Sequence, residues 1–172
     1  MKNRDFIKKG ILPLTAQKSA EIFKNAGKGD YALEYRRFDK TIVVRIDKGE
    51  EILQKIREIA EKENIVLASV QALGAVSHFT AGVYNMDERK YHANEFDGFF
   101  EIVSLTGTIN TMNGEFYCHL HMSAGNEKGQ VFGGHLNQAV VGATCEMVIQ
   151  EIDGRVDRFY EEETGLNLFK FQ

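Results

Sequence analysis

From Tyr31 onward the chain is a succession of short β-type runs bounded by Gly, Asn or Asp, and only one stretch has the period of a helix. The runs are 31–38, 41–46, 65–76, 78–85, 91–96, 99–108, 114–123, 131–136, 139–152 and 155–160, rich in β-branched and aromatic residues. Asp39-Lys40 reads as the turn between the first two. The exception follows Gly49. Over 50–63, Ile52, Ile56, Ile59 and Ala60 recur on one helical face, and Glu50 and Glu51 suit a helix N-terminus. Glu51 with Lys55 and Glu58 with Lys62 form i,i+4 pairs. A helix with one apolar stripe covers a sheet. The expected class is therefore α+β, a mainly antiparallel sheet with one principal covering helix, Glu50 to Glu63.

A chain of 172 residues with 43% hydrophobic side chains fits one domain, and at this size folding buries about 70% of the unfolded surface. No run approaches the ~18 consecutive apolar residues of a membrane span, and Met1 to Lys9 mixes charge with apolar residues where a signal peptide needs an apolar core. A cytoplasmic protein without a membrane partner is expected. Cys118 and Cys145 lie in apolar runs and read as small buried hydrophobes of a reducing compartment. Residues 1–30 hold seven bases (Lys2, Arg4, Lys8, Lys9, Lys18, Lys24, Lys28) and three acids (Asp5, Glu21, Asp30). They are net +4, which leaves -8 on the remainder of a chain whose formal total is -4. We read 1–30 as a basic accessory segment, weakly helical over 15–25, and 31–172 as the domain. The basic segment is a solvated arm or a docking element; the acidic domain argues against a whole surface that clings to nucleic acid.

The chemistry concentrates in His119-Leu120-His121-Met122-Ser123 and Gly133-Gly134-His135-Leu136. In a strand, residues two apart share a face, about 7 Å apart, so His119, His121 and Ser123 project one way and Cys118, Leu120 and Met122 the other. If 114–123 and 131–136 pair with Ser123 opposite Val131, His119 stands opposite His135. Two histidines on one strand and a third on its neighbour form the donor set of a three-nitrogen Zn²⁺ site whose fourth position is left for water or ligand. Gly133 and Gly134 would leave space over that face for a small ligand. The alternative is a polar strand face that carries histidines because it is exposed.

Other candidates divide more simply. His78 and His92 lack a ligand-spaced partner and read as hydrogen-bonded strand residues. Glu101, inside an apolar strand, is either a general base or the buried partner of an arginine such as Arg45. Cys145 sits in a buried run where a thiol is inert. The chain has no Gly-x-Ser-x-Gly elbow, phosphate loop or dinucleotide-binding fingerprint, and no catalytic residue is assigned. Leu166, Leu168, Phe169 and Phe171 are more apolar than a loose tail needs and fit subunit packing or a partner edge.

Several ordered motifs carry a family resemblance. They are Arg37-Phe38, Asp47-Lys48-Gly49-Glu50-Glu51-Ile52, Leu73-Gly74-Ala75-Val76, Gly98-Phe99-Phe100-Glu101-Ile102-Val103-Ser104-Leu105-Thr106-Gly107, the two histidine segments, and Glu146-Met147-Val148-Ile149. Over about 31–171 the chain resembles the plant and prokaryote conserved (PPC) domain family. The resemblance implies an α+β fold that assembles as a homotrimer. Plant relatives place this domain behind an AT-hook that holds DNA and use the domain itself for self-association and for contacts with other regulators. Stand-alone prokaryotic relatives are labelled DNA-binding by analogy, and some look as though they hold a metal with the two histidine motifs. Carried over, that makes His119, His121 and His135 the ligands of Zn or another divalent metal. This chain has no AT-hook, and Phe99 replaces the arginine of the plant segment. The implied function is a homotrimeric binding or regulatory module, DNA-associated and metal-bearing; the alternative is a metal-dependent enzyme or small-molecule binder with Glu101 or Ser123 as helpers.

Overall fold

The computed structural model describes residues 34–171, so the basic segment and the weak helix expected over 15–25 lie outside the described residues. The elements run β1 Glu34–Phe38, β2 Thr41–Asp47, α1 Ile52–Glu63, β3 Ala68–Asn85, β4 Lys90–Met112, β5 Glu115–Gly125, β6 Val131–Glu151, β7 Asp157–Glu161 and β8 Leu166–Lys170. All strand pairings are antiparallel, in a six-stranded sheet ordered β1-β2-β6-β3-β4-β5 and a two-stranded sheet of β7 and β8. The first half of β6 also pairs with β5, so β3, β4, β5 and β6 close on one another. The α+β class with a mainly antiparallel sheet and one helix is what the periodicities require.

Six of the expected runs are halves of three long strands. The breaks after Val76, Phe96 and Leu136 are not turns, because the chain passes through them and stays paired. Bulges absorb the irregularity, as at Ala72/Gly74 and Val76/His78 in β3 and at Ile102/Ser104 in β4. The β4 bulge also reverses the alternation. Before it Phe100 and Ile102 are buried while Phe99, Glu101 and Val103 are exposed; after it Leu105 and Ile109 are buried. Thr106 and Thr108 therefore turn to the outer face. Asn113-Gly114, with φ of 54° and 84°, makes the two-residue turn into β5, the conformation that twisted hairpins select.

The helix buries the four residues its periodicity marks, Ile52, Ile56, Ile59 and Ala60, in one core with Ile42, Val44, Ile46, Leu120, Met122, Met147 and Ile149. Each large side chain so buried contributes roughly 1.5–3 kcal/mol by removal of apolar surface from water. The helix starts at Ile52, two residues later than the periodicity suggested, because Glu51 is its N-cap. The Glu51 carboxylate accepts from the Gln54 N–H at 2.6 Å and from the Ala139 N–H at 3.0 Å. Glu51 is thus not the partner of Lys55, which pairs instead with Glu50 and Glu58, each at 3.0 Å. Strand β8 was not anticipated, since only Thr164-Gly165 marks its turn. It places Leu168 and Phe169 beside β7 instead of in a free tail. Among the described residues, no helix is long and apolar enough to cross a membrane.

Candidate metal centre

Strand β5 alternates as its sequence demands: Leu120, Met122 and Ala124 enter the core, and Tyr117, His119, His121 and Ser123 take the opposite face. Opposite them on β4 stand Asn110, Thr108, Thr106 and Ser104. The third histidine arrives on β6, opposite His121 on one side and Gly82 of β3 on the other, where β6 closes the sheet. His135 therefore faces His121 and not His119. The turn is shorter than assumed, because β5 runs on to Gly125 and Asn126 then gathers the loop. The Asn126 side-chain oxygen accepts from the N–H groups of Lys128 and Gln130, each at 3.0 Å. This slip is two residues, an even number, so His135 keeps its face and the three imidazoles still meet.

One nitrogen from each ring lies within 4.8 Å of the other two, and the ring centroids of His119, His121 and His135 are 4.9 to 5.6 Å apart. Nitrogens around a tetrahedral ion at ~2.0–2.1 Å are about 3.4 Å apart, so modest side-chain rotation closes the group. His119 and His135 are partly buried and His121 is exposed. Burial first, then the charges of Arg158 and His121, lowers His119 to about 4. Burial, then His119, His121 and Arg158, lowers His135 to about 4 as well. Both rings are thus neutral near pH 7, the form that binds a metal. A donor set of three imidazoles suits zinc and neighbouring borderline metals. In contrast, His78 pairs with Asp97 at 2.8 Å and His92 with Glu88 at 3.0 Å, as hydrogen-bonded strand residues do.

The glycines before His135 do not clear room for a ligand. A Cβ at Gly133 would lie 2.1 Å from the Met122 carbonyl oxygen, and one at Gly134, where φ is +149°, 2.4 Å from that of Gly82. They let β6 fit between β5 and β3. Behind His135, the Tyr91 ring meets the imidazole edge to face at 5.9 Å, and its hydroxyl donates to the His135 carbonyl at 2.8 Å.

Glu101 is neither buried nor the partner of Arg45. It lies on the exposed side of β4 between Phe99 and Val103, and Arg45 bonds Asp47 at 2.8 Å and Glu34 at 3.1 Å. Ser123 does share the histidine face, one step beyond His121 and opposite Gly133. Both cysteines are free, and burial pushes each thiol up to about 12, so neither is a ready nucleophile. Sequence reasoning missed two neighbours. Tyr117 follows from the same two-residue alternation that places His119. Arg158, brought over Tyr117 by the β7–β8 pair, has no local signature that ties it to the histidines.

Comparison with known proteins agrees with this architecture. A solved metal-containing protein from Archaeoglobus fulgidus is 31% identical, covering 81% of this chain and 99% of its own, with a TM-score of 0.73. A candidate DNA-binding protein from Bacteroides thetaiotaomicron is 28% identical over 81% of this chain and 97% of its own, with a TM-score of 0.79. A plant- and prokaryote-conserved protein from Pyrococcus horikoshii is 28% identical over 84% and 99%, with a TM-score of 0.71. None of the curated proteins matches. The Plants and Prokaryotes Conserved (PCC) domain matches residues 33–153, from β1 to just beyond β6 and including all three histidines, and the chain belongs to that family.

Proposed function

We propose that this protein is a metal-dependent binding module in which His119, His121 and His135 hold a divalent ion, zinc by donor chemistry, and offer its remaining position to a small ligand. The convergence of three imidazoles on one outer face carries this reading. A bound zinc ion supplies a Lewis acid at that position. The protein supplies rigidity: β5 fixes two rings on one strand, β6 fixes the third at the point of closure, and Tyr91 anchors the backbone behind it. Binding and regulation are favoured over hydrolysis, because Glu101, opposite Gly125 on the same outer face, stands four residues along β5 from His121, about 13 Å away, and no carboxylate joins the cluster among the described residues. Elemental analysis of untagged full-length protein after zinc loading tests the site. About one equivalent per chain is expected, falling below a tenth in His121→Ala with the fold intact; equal zinc in both would overturn it.

The module acts as a homotrimer in the cytoplasm. Supporting self-association is the exposed strip of Phe99, Val103 and Val131, with Val103 and Val131 both at Gly125. Light scattering of the full-length chain should give about three times 19.5 kDa, and a monomer at micromolar concentration would refute the trimer. A second reading, contact with DNA, draws on the +4 leading segment and on the candidate DNA-binding relative from Bacteroides thetaiotaomicron.

A further inference from the structure

Arg158 is 6% exposed, yet among the described residues its guanidinium makes no ion pair. Its neighbours are neutral. The Nε–H donates to the Asn110 side-chain oxygen at 3.2 Å and an Nη1–H to the Asn167 carbonyl at 2.6 Å. The guanidinium carbon lies 4.7 Å from the Tyr117 ring centre and 4.3 Å from that of Phe169, two cation–π contacts that hold the group in place. Two of its five N–H donors are used. A buried charge without a counter-charge is costly, so a cation held this firmly calls for an anion.

Its position says where that anion would sit. Asn110 and Tyr117 face each other across β4 and β5. The next rung on the same face is Thr108 with His119, about 7 Å along, and the one after it is Thr106 with His121. Arg158 thus stands one rung from the histidine cluster. Resting on the metal reading above, we infer that Arg158 and the open metal position together form a subsite for a small oxyanion, the carboxylate or phosphate group of the ligand. In such a subsite one oxygen of the anion would meet the metal and another would accept from a guanidinium N–H. Three neutral imidazoles leave the ion's double charge uncompensated, and the planar guanidinium adds a donor matched to carboxylate and phosphate.

The test uses full-length protein loaded with cobalt(II), whose visible absorption reports on its ligands, titrated separately with acetate and with inorganic phosphate. Cobalt content is measured for each sample, so loss of metal and loss of anion are read separately. The wild type should respond saturably to at least one anion. Acetate alone assigns the subsite to carboxylates, phosphate alone to phosphoryl groups. In Arg158→Gln the dissociation constant should rise about tenfold or more, and Arg158→Lys, which keeps the charge but not the fork, should fall between. If Arg158→Gln does not fold, Arg158→Lys decides. Metal-loaded variants that bind the anion within about twofold of wild type would overturn the subsite and leave the metal site standing. A wild type that takes up no cobalt would overturn both.

Discussion

The imidazoles of His119 and His135 are partly buried and held at about 4, and this gives the centre a pH signature. In the unfolded chain a histidine titrates near 6.5. Between about 6.5 and 4 the unfolded state therefore binds protons that the folded state refuses, and stability falls as the pH drops through that window. The melting temperature of metal-free protein should decline from pH 7 to 4.5, and His119→Asn with His135→Asn should flatten the decline. A wild-type profile as flat as the variant's would contradict the assignment. The histidine pair was legible in the sequence because face alternation survives a register error of two. Arg158 was not, because its closeness to His119 depends on how β7 and β8 fold back on β4 and β5, and nothing local encodes that.

Single elements divide along the same physical line. Helix α1 was readable because a 3.6-residue apolar stripe has one partner, the sheet, and the four residues of that stripe are its buried ones. Ile56, fully buried, tests this packing. Ile56→Ala should cost about 2–5 kcal/mol in denaturant unfolding with an unchanged m-value, and a cost below ~1 kcal/mol would mean that the helix does not seal the core. What the sequence concealed was continuity. A bulge and a turn both show as a break in alternation, so β3, β4 and β6 each read as two strands. The helix start was concealed for another reason: Glu51 looks like a surface acid, and only the fold brings the Ala139 N–H to its carboxylate.

For the whole molecule the uneven charge sets what it can meet. Residues 1–30 are +4 and the remainder is -8, so any contact with a polyanion is expected from the leading segment. A band-shift series should show any duplex binding lost between about 50 and 200 mM salt and abolished by removal of residues 1–30; retention by the truncated domain would contradict this. The closed sheet, by contrast, gathers its chemistry on one outer face, where β5 and β6, two strands that meet on closure, bring the histidines together. Zinc-edge X-ray absorption on untagged, zinc-loaded full-length protein tests that claim most directly. The account predicts nitrogen and oxygen neighbours at about 2.0–2.1 Å with the scattering of three imidazoles, and a sulfur neighbour near 2.3 Å or fewer than three imidazoles would contradict it.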